Sequence, residues 1–250
     1  MLPAKGRRVN RKASNIDMSA LPVRPLDLSR PAAEQIAADV KSAILNVTLT
    51  PGSMISENEI GQVFGASRTP VREAFALLRS EGLVVTYPSR GTYVSKLAEH
   101  QIRGAQFLRE ALEVAVIGRL CDTGLSEAAR TALETNLKQQ ADALADNDRA
   151  TFHALDDQFH SLLAGATGYP RICTILQSEK TALDRLRCLS LGHQERMTEL
   201  FEEHRGILDS IVNGYSGQAL DRMRLHLRSI LSTLTQLIAD NRDYFEDDAD

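Results

Sequence analysis

From residue 97 to residue 240 the sequence has no strand-like alternation. Glycines divide it into stretches whose apolar residues recur every three or four positions. Six such stretches are expected as helices, at roughly 97–121, 126–146, 149–164, 170–189, 194–213 and 216–239, punctuated by Gly124, Gly165, Gly168, Gly192, Gly214 and Gly217. Leu108, Leu112, Ala115 and Arg119, and again Ile207 and Ile211, keep helical period. Helices that each need to bury a stripe do so against one another, so this part is expected to fold as an antiparallel bundle.

The first hundred residues have a different texture. Pro31 and the spacing of Ile36, Val40 and Ile44 predict a helix from Ser29 to Leu49, which Pro51-Gly52 ends. Ser56 and Glu59 have the spacing of a capping box opening a short helix to Phe64, with Gly65 as its C-terminal stop. Ser67, Thr69 and Pro70 suit the first turn of a third helix, striped by Val71, Ala74, Phe75 and Leu78 and ended by Gly82. Residues 83–87 and 92–94 are rich in β-formers, and Pro88-Ser89-Arg90-Gly91 supplies a hairpin turn. Three helices and a hairpin are the winged-helix plan. The fold class is therefore mainly α, an N-terminal winged helix-turn-helix plus a C-terminal six-helix antiparallel bundle. The expected divisions are a disordered basic arm over 1–28, the winged helix over 29–96, the helical domain over 97–240 and a frayed acidic tail over 241–250.

Charge follows the same division. Residues 1–97 hold 13 Lys and Arg against 8 Asp and Glu, whereas the rest holds 16 against 25. A basic front and an acidic back suit a protein that meets a polyanion with one end. Cys121, Cys173 and Cys188 are odd in number and form no C-x-x-C pair, which points to free core thiols in a reducing compartment. No apolar run approaches the ~18 residues of a membrane helix. The first 24 residues lack the apolar segment of a secretory signal. A cytoplasmic protein with no membrane partner is expected.

Two short helices about a Gly-containing turn, Gly61 to Ser67, make a helix-turn-helix. Its second helix carries Arg68, Arg72 and Arg79 on one side, opposite the apolar stripe. A guanidinium fork matches guanine O6 and N7 in the major groove. Ser67 and Thr69, beside free backbone amides at the helix start, suit a phosphate, and Arg90 at the wing tip suits the minor groove. Pro51-Gly52, Glu57-x-Glu59, the run Gly65-Ala-Ser-Arg-Thr-Pro-Val-Arg-Glu-Ala74, Glu81-Gly-Leu83 and Arg90-Gly91 resemble the N-terminal domain of the GntR family over about residues 30–95. The resemblance implies operator contacts from Arg68 and Arg72, phosphate contacts from Ser67 and Thr69, and minor-groove entry by Arg90-Gly91. Gly61-Gln62 departs from the usual Leu-Ala, at a core contact.

In the helical part Asp156 and His160 are four apart, so they leave one face of one helix, while His204 and His226 fall on two later ones. Three imidazoles and a carboxylate without thiolate can hold a divalent transition metal, zinc foremost, with nickel or manganese also suited. Isolated histidines more often cap or pack. Arg109-x-x-Leu112-Glu113, Asp156-x-x-Phe159-His160, Glu203-His204 and Ala219-x-x-x-Met223-x-x-His226 resemble the ligand-binding domain of FadR-type GntR regulators (the FCD type), over roughly 103–235. The six-helix count points to its VanR-like branch. That resemblance implies Asp156, His160, His204 and His226 as metal ligands and Arg109 as the holder of an effector carboxylate. Tyr169, where many relatives have Asn, alters a helix start and bears on the pocket wall. His100, His153 and His193 match no ligand position and are expected on the surface.

Together these features predict a metabolite-responsive DNA-binding regulator, a repressor, acting as a homodimer on double-stranded operator DNA. Its expected signal is a small carboxylic acid, and no catalytic residue is assigned. Two other classes fit parts of the pattern: a metal-dependent enzyme, since open metal positions can activate water, and a dedicated metal sensor. A nucleophile or general base beside the ligands, which the first would need, is not evident.

Overall fold

The structure, a computed structural model, describes residues 21, 25–190 and 194–246. The chain divides into two compact units whose boundary in sequence lies between Lys96 and Leu97.

The first unit runs α1 (Ala32–Leu45), β1 (Met54–Ile55), α2 (Glu57–Phe64), α3 (Arg68–Ser80), β2 (Val84–Tyr87) and β3 (Gly91–Val94). Pro31 caps α1, which stops at Leu45 and not at Leu49. The chain turns at Val47, whose φ of +58° is uncommon for a β-branched residue, and Leu49 then plugs the core from outside the helix. Ser56 caps α2 as its spacing predicts: its Oγ accepts from the Glu59 amide at 3.5 Å. Gly65 ends α2 at φ +60°, a left-handed position that is cheap only for glycine.

β1 is a strand the sequence reading did not anticipate, because two residues carry no readable period. It makes the sheet three-stranded, in the order β1-β3-β2, all antiparallel. Ile36, Val40, Ile44, Ile60, Val71, Phe75, Leu78, Leu83 and Val94 form one core beneath it. Leu21 is buried in that core too, although it falls within the arm expected to be disordered. An apolar side chain that can reach the α1 face gains by burial, whatever the charge of its neighbours.

The second unit is helical: α4 (Glu99–Thr123), α5 (Glu127–Ala145), α6 (Arg149–Ala166), α7 (Pro170–Ser190), α8 (Gln194–Val212) and α9 (Ser216–Asp240). Short connections join α5 to α6 and α8 to α9, and both pairs pack side by side, as antiparallel neighbours do. Ile117, Leu120, Leu133, Phe159, Leu163, Ile207, Ile211 and Met223 make one apolar layer; Leu97, Ile102, Leu183, Leu186 and Leu234 belong to another. Apart from these layers the helical unit also buries a polar set: Glu113, Gln140, Asp156, His160, His204 and His226.

Periodicity identified α4 as a helix without identifying its inner face. Leu108, Ala115 and Arg119 are exposed, and burial falls on Ile102, Ala105, Glu113, Val116, Ile117 and Leu120. Phe107 beside them is 73% exposed. This helix is apolar on more than one side, so its pattern fits several faces equally well.

The expectation of a frayed tail needs correction. Arg242–Tyr244 form a 3-10 turn and Phe245 is buried among Leu97, Ile102 and Leu234. The Leu97 amide donates to the Tyr244 carbonyl at 2.8 Å, and the Glu246 amide to the Leu97 carbonyl at 2.9 Å, a parallel bridge. An acidic composition masked one apolar anchor. His153 is also half-buried and not a surface residue, since it lies 3.4 Å from Asp157. His100 is exposed, and His193 lies outside the described residues. Cys121 and Cys173 are free and half-buried, and the Cys188 side chain is outside the description. Among the described residues no helix is long and apolar enough to cross a membrane.

Candidate metal centre and nucleic-acid interface

α6 places Asp156 and His160 one turn apart on its buried face, α8 brings His204 and α9 brings His226. One ligand atom from each lies within 4.8 Å of the other three. The four residues singled out from the sequence therefore converge.

The tautomers of the rings follow from their outer partners. His160 Nδ1 bonds Glu113 Oε2, and His226 Nδ1 bonds Glu203 Oε2 at 2.6 Å. An ionised carboxylate only accepts, so each Nδ1 carries the proton and each Nε2 a lone pair. For His204 the proof runs through two amides. Asn136 Nδ2 donates to the Leu155 carbonyl at 3.0 Å, so Asn136 Oδ1 faces the other way and accepts from Gln140 Nε2 at 2.7 Å. Gln140 Oε1 is then left to accept from His204 Nδ1 at 2.9 Å. All three Nε2 lone pairs face inward.

The inner atoms lack what buried polar atoms usually have. His204 Nε2 and Asp156 Oδ1 are buried without a hydrogen-bond partner and lie 3.5 Å apart. His160 Nε2 and His226 Nε2 face each other at 3.1 Å, lone pair to lone pair. Such an arrangement is repulsive unless a cation stands between the groups. Donors bound about 2.0–2.2 Å from one zinc ion sit roughly 3–3.5 Å from each other, which these spacings match. The residues fit a divalent transition metal.

Protonation states agree with ligand chemistry. Burial, reinforced by the neighbouring rings of His226 and His160, holds His204 well below the ordinary imidazole value. Burial also lowers His160, against the pull of Glu113. Burial would raise Asp156, but the Arg187 guanidinium and the three rings keep it well below the usual carboxylate range. Glu113 behaves likewise, with Arg109 and His160 overcoming its burial.

Arg109 forms an ion pair through Nε with Glu113 Oε1, the carboxylate that orients His160. It lines two cavities. One, between α4, α6 and α7, is bounded by Arg109, Glu113, Asp157, Ser161, Lys180 and Arg187. The other is a cleft partly open to solvent, with Asp156, His226, Arg109, Arg187 and Arg196 in its wall. Tyr169 is 54% exposed and lines neither, so its departure from the family pattern does not alter these walls. A second group, His153, Asp157 and Asp184, already contains cations: Lys180 Nζ is 2.6 Å from Asp157 and 3.7 Å from Asp184. It reads as an ion-pair network.

Sequence reasoning missed Arg187, which binds Asp156 Oδ2 and donates to Asp157 Oδ1 at 2.7 Å. It missed Arg196 as well, and gave Glu113, Gln140 and Glu203 no role. The i,i+4 spacing of Arg109 and Glu113 was a legible signal; nothing marked Gln140.

In the first unit α3 exposes Arg68, Thr69, Arg72 and Arg79 on the side away from the core. Ser67 occupies the N-cap position, yet its side chain makes no capping bond, which leaves its hydroxyl and the first-turn amides available. Arg72 Nε lies 3.3 Å from Glu57 Oε2 with the side chain 69% exposed, and Arg79 Nη1 is 3.4 Å from Thr86 Oγ1 on β2. At the wing tip the Arg90 amide donates to the Tyr87 carbonyl at 3.0 Å, and Tyr93 Oη donates to the Arg90 carbonyl at 2.9 Å. Gly91 sits at φ +103°, and a Cβ there would stand 3.3 Å from Met54 Sδ, so the tip accepts no side chain at that point without strain.

A winged helix followed by a helical unit with a polar centre is the build of a DNA-binding transcription regulator. Residues 32–94 match the family described as "Bacterial regulatory proteins, gntR family", and residues 106–229 match the "FCD domain". The HTH-type transcriptional repressor RspR of Escherichia coli (strain K12) is 33% identical over 224 residues, 89% of this chain and 97% of the relative. A regulator from an unstable DNA locus of Streptomyces ambofaciens is 35% identical over 210 residues, 84% of this chain and 88% of that one. A GntR regulator structure from Rhodococcus sp. RHA1 superposes with a TM-score of 0.67 at 22% identity, covering 81% of this chain and 97% of that one. The chain belongs to the GntR family of bacterial transcriptional regulators and carries an FCD domain as its second part.

Proposed function

We propose that this regulator is a repressor whose helical domain holds a divalent transition metal on Asp156, His160, His204 and His226 and responds to a small carboxylate bound beside it. Zinc suits the donor set best, with nickel or manganese as alternatives. The ion would supply a fixed positive charge and open coordination positions for carboxylate oxygens. The observation that carries this reading is the set of three inward Nε2 lone pairs, that of His204 unpartnered, beside the equally unpartnered Asp156 Oδ1. Arg109 offers the carboxylate a planar fork.

On the DNA side Arg68, Arg72 and Arg79 read or anchor on the major groove, Ser67 and Thr69 take phosphates, and Arg90-Gly91 enters the minor groove. Repression is supported by relatives named as repressors, among them RspR and, at 26% identity over 176 residues, the gluconate operon transcriptional repressor of Bacillus licheniformis. The protein works in the cytoplasm as a homodimer.

Metal analysis of the purified chain, with operator binding measured with and without added acids, tests the reading. One equivalent of metal is expected. His204→Ala should lose both metal and response, whereas Arg109→Ala should keep metal and operator binding and lose the response. A metal-free chain that still answers to acids would overturn the sensor site and leave the DNA-reading half intact.

A further inference from the structure

The charged groups in the wall of the second cavity are mostly guanidiniums, whose other carboxylate partners stand outside that wall. Arg109 comes from α4, Arg187 from α7 and Arg196 from α8, against the single carboxylate of Asp156. Glu113 and Asp157, which balance the first two guanidiniums, line the other cavity. Arg196 lies eight residues before His204, about 12 Å along the axis of α8, so its Cα stands well away from the metal ligands. Its guanidinium is held in place and does not trail into solvent. Nη2 donates to Ser229 Oγ at 2.5 Å, and Nη1 lies 2.9 Å from Glu199 and 3.5 Å from Glu203. Ser229 in turn donates to the His226 carbonyl at 2.6 Å, tying this pair to α9. The rest of the wall is His153 and an apolar surface made by Phe152, Leu200, Leu227 and Ile230. The wall thus offers cations from separate helices together with an apolar surface on which a carbon chain can lie.

We propose that Arg196 is the specificity-determining residue of this cavity, and that the effector is a dicarboxylate with one carboxylate at the ion and Arg109 and the other at Arg196, whose guanidinium Ser229 holds in place. The proposal rests on the metal-and-carboxylate reading above and adds the second anionic group. A fixed, partly buried guanidinium rewards a carboxylate with a charge-assisted pair and rewards a methyl or hydroxymethyl end with little.

Calorimetric titration of the zinc-loaded chain at one ionic strength tests it, with succinate, adipate and glucarate set against butyrate, hexanoate and gluconate. At least one diacid is expected to bind about ten- to a hundredfold tighter than its monoacid partner. Arg196→Gln should bring that diacid down to its monoacid, with zinc content as in the wild-type chain. Equal binding of diacids and monoacids by the wild-type chain overturns the proposal. So does an Arg196→Gln chain that loses zinc or weakens both kinds of acid alike, since Arg196 would then only hold Glu203 against His226. If that variant does not fold, Ser229→Ala decides, with a loss confined to diacids expected and an equal loss or none overturning. Binding of neither kind of acid removes the carboxylate reading itself. Diacid binding without zinc removes only the metal part, and the variant still judges Arg196.

Discussion

Gln140 never faces the ligand atoms' common centre, yet it sets the tautomer of His204 through a chain of amides anchored on the Leu155 carbonyl. Gln140→Leu is therefore expected to weaken zinc binding about ten- to a hundredfold, read by competition with a chelator, while helix content is kept. Unchanged zinc affinity would show that the outer amides do not matter. On the DNA side, Arg68→Ala and Arg72→Ala should each cost about 1–3 kcal/mol of specific operator binding at fixed salt with the fold intact. Wild-type affinity in both would refute the assignment. The four candidate ligands were legible because Asp156 and His160 have helical spacing and the motifs around all four resemble those of the FCD type. Gln140 and Arg196 were not, because their roles depend on which side chains meet across helices 64 and 33 residues apart in the chain.

Elements were more legible than their faces or their ends. All six helices of the second unit lie close to their expected positions, since glycines and apolar period mark where a helix starts and stops. The inner face of α4 was not readable, because a helix apolar on several sides hides which stripe is buried. The tail was misread for the opposite reason: one phenylalanine among acids gives no period at all. Phe245 is 1% exposed, and removing its ring empties a packed site. Phe245→Ala is expected to cost about 3–4 kcal/mol in the unfolding of the helical unit, measured by denaturant titration. A change below about 1 kcal/mol would mean that the turn carries no packing energy.

For the molecule as a whole, one winged helix reads only one half-site, and pseudo-palindromic operators are met by two related by a two-fold axis. Light scattering should give twice the 27.5 kDa chain mass, free and on operator DNA. A monomer in both states would exclude this mode of binding. The polar centre is served by every helix of the second unit: Glu113 from α4, Gln140 from α5, Asp156 and His160 from α6, Arg187 from α7, His204 from α8 and His226 from α9. α9 also has a second attachment. His226 lies in its first half, and beyond its end at Asp240, about 21 Å further along the axis, the chain turns and seats Phe245 on Leu97. Leu97 is the first residue of the helical unit, next in sequence to Lys96, the last of the DNA-reading one. α9 thus works as a tie rod: one helix carries the His226 ring into the polar centre, and the turn beyond its end is stitched to Leu97, so the first and last segments of the helical unit are clamped together.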